Sequence, residues 1–157
     1  MRSAAILAAA LLGSCAVISH DVTDKAVAAH VVGKCFVLMQ DAYVVNRAVI
    51  GGNDELFSPQ NGACLYGTCF RAVKASVPKG TTLTVTKVVN YAQGDNGRCW
   101  RTFARLDNTV QIDHDIELPT CLLGGIQRPW VTTADPSETD SVEFERKWLT
   151  PCQPDAS

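Results

Sequence analysis

Seven cysteines, three histidines and one run of acids are the residues of this 157-residue chain whose types suit chemistry. The cysteines stand at 15, 35, 64, 69, 99, 121 and 152. A thiol can pair in a disulfide, bind a metal or act as a nucleophile. No two cysteines have C-x-x-C spacing, and His20, His30 and His114 are scattered, which argues against zinc. Asp113, Asp115 and Glu117 would share one face of a strand, with neighbours about 6.6 Å apart. A calcium ion there would need further oxygens from a loop. The chain has no Gly-x-Ser-x-Gly elbow, no phosphate-binding glycine loop and no His-Glu-x-x-His. An acid–base pair would have to be His114 with Asp113 or Asp115. The expectation is a non-catalytic protein without a cofactor or metal.

The first cysteine is set apart by what precedes it. Met1 and Arg2 form a minimal positive region, and Ser3 to Leu12 is a short apolar stretch. That is the layout of an export signal, shorter than the roughly 20 residues of a membrane span. Leu12-Gly13-Ser14-Cys15 resembles the lipobox of bacterial lipoproteins: an aliphatic residue, two small residues, then cysteine. The resemblance implies that Cys15 carries diacylglycerol and that residues 1–14 are a signal removed just before it. Several acyl chains make such an anchor stable. Ala16 stands where an aspartate commonly retains enterobacterial lipoproteins at the inner membrane, so the resemblance leans to the outer membrane, facing the periplasm. Cleavage after Ala16 would instead release a soluble protein, and an uncut run from Ser3 to Ser19 would be a marginal anchor.

Setting Cys15 aside leaves six cysteines, an even number in a chain bound for an oxidising compartment. Three disulfides are expected. Proximity suggests Cys64–Cys69, hairpin register suggests Cys99–Cys121, and Cys35–Cys152 is the pair that remains. At 46% hydrophobic and 19% charged, with net charge −2, the composition is that of one globular domain. Nothing in it favours a nucleic acid partner.

Organisation follows from patterning. Residues 15–22 read as a tether and 23–157 as a single disulfide-rich β domain. Thr23 could cap a short N-terminal helix through Val32, ended by Gly33, with Val27 and Val31 on its buried side and His30 structural beside them. Cys35 to Val45 is strand-like, broken near Gln40-Asp41. Residues 51–69 are rich in turn formers and read as a long stapled loop. Phe57 and Tyr66 on that loop are its candidate binding residues, because loops on rigid scaffolds carry function disproportionately. After Pro78-Lys79-Gly80, the alternation of Leu83, Val85 and Val89 marks a half-buried strand, and Asn96-Gly97 a hairpin.

Two strands then admit a register. Arg98–Leu106 and Val110–Leu118, joined by a three-residue turn, pair Leu106 with Val110, Ala104 with Ile112, Thr102 with His114 and Trp100 with Ile116. His114 is thereby placed on the apolar face as a core residue, and Arg101 opposes Asp115. Residues 71–105 hold seven bases and one acid, whereas 107–145 hold nine acids and one base. Folded together, these become cross-strand pairs worth a few tenths of a kcal/mol to about 1 each. In the tail, Asp135-Pro136-Ser137-Glu138 resembles a helix start, yet Val142, Phe144, Arg146 and Trp148 alternate. A final strand delivering Cys152 is favoured.

This mainly β meander, opened by Gly80, Leu83 and Val85 and followed by Asn96-Gly97, is similar to bacterial SH3-like small barrels. The disulfides and the 51–69 insertion depart from that family. A β-sandwich or a closed lipocalin-type barrel would satisfy the same alternation. The resemblance implies a module presented to peptidoglycan or a periplasmic protein. The alternative is an inhibitor or immunity-type lipoprotein that neutralises an enzyme or toxin.

Overall fold

The longest apolar alternation in the chain becomes its longest strand pair, and the rest of the sheet is built outward from it. The structure is a computed structural model that describes residues 18–46, 53–58, 64–65, 68–69, 72–92, 97–107, 110–121 and 129–153. Its strands are β1 (Ile18–Asp21), β2 (Cys35–Leu38), β3 (Ala42–Val45), β4 (Glu55–Phe57), β5 (Cys64–Leu65), β6 (Thr68–Cys69), β7 (Val73–Val77), β8 (Thr82–Ala92), β9 (Arg98–Leu106), β10 (Ile116–Leu118) and β11 (Leu149–Pro151). Nine of them form one sheet in the order β11-β2-β8-β9-β10-β4-β3-β7, with β1 also on β8. Neighbours are antiparallel except β4 and β10, which run parallel where Glu55 meets Glu117. Among the described residues the sheet does not close, so the expected barrel gives way to an open sheet containing a β8-β9-β10 meander.

The alternation of β8 changes phase at Thr86. Leu83 and Val85 face the core, but Val88 and Asn90 are buried after them, and Val89 is not. The cause is a bulge: Val85 pairs with Ala104 and Lys87 with Phe103, leaving Thr86 as an extra residue. Beyond it Ala92 pairs with Arg98, so β8 and β9 form a hairpin as expected; Asn96 lies outside the described residues. Gly97 has φ 79°, a conformation that favours glycine.

The β9–β10 register is offset from the expected one. Ile116 pairs with Ala104 and Leu118 with Thr102, a slip of four residues relative to the short hairpin. An even slip keeps every side chain on its own face, so alternation alone cannot distinguish the two registers. The slack is taken up between Asp107 and Asp115. His114 therefore leaves the core, with its side chain 50% exposed.

The expected helix from Thr23 to Val32 is corrected as well; among the described residues there is none. The segment is a succession of turns closed by three-residue hydrogen bonds such as Ala28 N to Lys25 O and Val31 N to Ala28 O. It is pinned to β8 at both ends, by Val22 N to Val88 O and by Gly33 N to Val85 O. Gly33 ends it at φ 72°, as read from the sequence. Ile18–Asp21, expected within the tether, pair with Val89–Ala92 as β1. The break near Gln40-Asp41 stands between β2 and β3. The tail strand is β11, later and shorter than the 142–148 alternation suggested, and it delivers Cys152.

A single hydrophobic cluster ties these elements together, running from Val22 through Leu38, Leu56, Leu83, Trp100 and Ile116 to Trp148 and Leu149. Trp130 and Trp148 stack within it, ring centroids 5.0 Å apart. Two disulfides join distant parts of the chain, Cys35–Cys152 and Cys99–Cys121, both as expected. Cys64 and Cys69 are cross-strand partners in the separate β5–β6 pair.

Candidate functional site

A groove of about 1170 Å³ opens beside the Cys35–Cys152 disulfide. One wall is the end of the turn segment, His30 to Lys34, and another is the stretch Val142 to Arg146. The start of β2 and the whole of β11 complete it. These walls are held by named bonds. His30 Nε2 lies 2.6 Å from the Val142 carbonyl, and Val142 N donates to Val27 O. Thr132 N donates to Glu143 O, and Val131 pairs with Phe144 in an isolated bridge. Cys152 N donates to Cys35 O alongside the disulfide, whose Cα atoms are 5.4 Å apart.

The groove has an apolar floor and a charged rim. Phe36 and Phe144 meet edge to face with centroids 5.0 Å apart, backed by Val31 and Leu149. His30, Lys34 and Arg146 are exposed around them, with Glu143 as the rim's acid. An apolar floor with a few convergent polar groups is the usual composition of a ligand site. Sequence reasoning missed most of this. Phe144 and Arg146 were visible as alternation, but their meeting with Phe36 depends on contacts more than 100 residues apart in sequence.

Comparison with protein-family models, curated proteins and solved structures finds no match for this chain. Its own residues therefore carry the functional reading.

The second polar concentration lies on β4, β9 and β10. Arg101 grips Glu117 with two nitrogens, Nε to Oε1 at 2.8 Å and Nη2 to Oε2 at 2.5 Å, and Glu117 is 2% exposed. The same guanidinium sits over the Tyr91 and Phe103 rings at 5.3 and 5.5 Å. Arg105 pairs with Asp115, which also accepts from the Thr86 hydroxyl at 2.8 Å. Burial pushes the Asp115 carboxyl up, but these two partners bring it below its ordinary value.

His114 is a member of this network. Its Nε2 lies 2.9 Å from Asp54 Oδ2, and its Nδ1 lies 3.3 Å from Asp113. Lys74 Nζ reaches the same Asp54 oxygen at 2.8 Å. Burial raises the Asp54 carboxyl, and Lys74 with His114 outweighs it, leaving a lowered pKa. Both imidazole nitrogens face carboxylates. The arrangement is an ion cluster, and among the described residues no group of three or more His, Cys, Asp or Glu side chains could hold a metal.

The remaining sequence-predicted residues are placed as follows. Phe57 is 1% exposed on β4, so its ring belongs to the interior and is not a surface contact. The stretch read as a loop contains a strand there because β4 fills the sheet between β3 and β10. Cys15 and Tyr66 lie outside the described residues, as do the side chains of Cys64 and Cys69.

Proposed function

We propose that this chain is a lipid-anchored binding protein of the bacterial cell envelope, held by acyl chains on Cys15 and without catalytic activity. Its ligand is an extended segment bearing carboxylates, taken in the groove between Phe36 and Phe144. The observation that carries the proposal is the apolar floor ringed by His30, Lys34 and Arg146, which outnumber the acid Glu143 on the same rim. Aromatic side chains supply contact area, and the basic rim selects anionic groups and speeds encounter. A groove walled by a disulfide and by main-chain bonds is rigid before binding, which lowers the ordering cost. A third disulfide, Cys64–Cys69, and an outer-membrane location facing the periplasm complete the reading. The likeness to SH3-type modules narrows to the β8-β9-β10 meander.

Peptidoglycan stem peptides and acidic segments of periplasmic proteins share this ligand chemistry. Sedimentation with purified peptidoglycan and affinity capture from envelope extracts separate the two sources. In whichever assay retains the protein, Lys34→Glu with Arg146→Glu is expected to weaken retention severalfold at unchanged thermal stability. Capture of one enzyme or toxin, with loss of its activity, would identify the inhibitor or immunity-type form of the same reading. Retention indifferent to both charge reversals would reject the groove. Turnover of an envelope substrate that His114→Ala abolishes in a folded protein would reject the non-catalytic reading.

A further inference from the structure

The placement of β1 determines which end of the domain meets the bilayer. Resting on the lipid-anchor reading above, we propose that the domain docks on the membrane by the end at which Ile18, Ala92 and Arg98 lie side by side, and that it does so without a flexible linker. Ile18 pairs with Ala92, and Ala92 with Arg98, so the first residue of β1 lies at the turn end of the β8–β9 hairpin. Only Ala16 and Val17 separate it from Cys15. Three residue steps span at most about 11 Å. The acyl chains therefore hold this end at headgroup level.

The residues around Ile18 suit that position. Ile18 is 60% exposed, among the largest exposures of any apolar side chain described. It shares a shallow depression with Gly97, Arg98, Asp135, Pro136 and Ser137. Arg98 is paired with Glu138, and its backbone N–H is held by Asp135, so among the described residues this end has no excess of positive charge. Attraction to anionic lipid cannot orient the domain; the short connection and the exposed Ile18 do. The opposite end carries Cys35, which pairs with Thr84 on β8. Eight strand positions separate Thr84 from Ala92, roughly 25 Å at the usual strand rise. The groove is thus displayed away from the bilayer at a set height, and partners reach it from the periplasmic side.

The test uses the full precursor, expressed in a Gram-negative host, purified from its membranes and placed in phosphatidylethanolamine–phosphatidylglycerol vesicles. Intact mass first shows whether Cys15 carries lipid. Nitroxides are attached at Ser137→Cys, near the docking end, or at Lys79→Cys, in the turn before β8. A nickel-chelating lipid then relaxes whichever label lies at headgroup level. Severalfold greater relaxation at 137 than at 79 is expected. Inserting about ten Gly-Ser residues after Ala16 should bring the two values together, because a flexible linker frees the domain to tumble. Equal relaxation at both sites without the insertion, or greater relaxation at 79, overturns the docking geometry while leaving the anchor intact. An asymmetry that survives the insertion overturns the role of the short connection. A Cys15 without lipid overturns the anchor itself.

Discussion

Arg101 reaches diagonally across the β9–β10 pair to Glu117, whose directly opposed residue is Phe103, and closes on it as a two-point clamp, one nitrogen for each carboxylate oxygen. Glu117 is almost fully buried, and Arg101 is only partly so. Removing one partner of such a pair leaves a charge in the interior, which typically costs about 3–5 kcal/mol. Arg101→Ala is expected to lose stability on that scale. Arg101→Met with Glu117→Leu should recover much of it, since an apolar pair needs no compensation. Urea midpoints for the two singles and the double form the cycle that measures this. A double variant no more stable than either single would refute it.

Deleting Thr86 should be tolerated, although it shortens the central strand. Thr86 is the extra residue of the bulge, so its removal leaves Leu83, Val85, Val88 and Asn90 on one face in regular alternation. The loss is its hydrogen bond to Asp115, about 2 kcal/mol for a bond to a charged group. Deleting Thr84 instead flips Leu83 relative to Val85 and should abolish folding. Circular dichroism melts of the two deletions distinguish these outcomes.

The two disulfides among the described residues should differ in what they contribute. Cys99–Cys121 spans 22 residues and Cys35–Cys152 spans 117. The chain-entropy model assigns about 3 kcal/mol to the shorter and about 5 to the longer. Replacing each pair by alanines and comparing denaturation midpoints tests the order. The reverse order would show that strain or denatured-state structure dominates.

Stability should fall in acid in a defined window. Hydrogen bonds from Thr23 and then the Lys87 ammonium lower Asp21 from 3.8 to about 2. Asp54 and Asp115 are lowered in the same direction. A carboxylate depressed in the folded state stabilises above its unfolded pKa, and this contribution is lost as pH falls through the folded value. The loss is therefore expected as pH falls from about 4 toward 2. Asp21→Asn should make stability less steep over that range, and carboxyl NMR titration should place the Asp21 midpoint near 2.

The parts of this fold legible in sequence were those set by local chemistry. Gly33 and Gly97 punctuate the chain because their positive φ is a backbone demand intrinsic to glycine. Cys99 and Cys121 could be paired because both lie at the open end of the antiparallel return of β9. Charge segregation foretold that Arg105 and Asp115 belong to complementary strands, but not that they stand opposite each other. That required the four-residue slip, and alternation is blind to even slips. His114 was misplaced for the same reason. Phe57 was hidden among turn formers, since a three-residue strand has too few positions to display a period. The groove was illegible because Phe36 and Phe144 are joined by sheet order, which no local pattern encodes.

The Cys35–Cys152 bond makes residues 35–152 a covalent ring, with Cys99–Cys121 closing a smaller ring inside it. A protease that cuts once at an exposed turn such as Pro78-Lys79-Gly80 opens the ring without releasing a fragment. The nicked chain gains one water in mass and migrates as one piece until it is reduced. A single cut there would leave the groove walls joined to each other through sulfur.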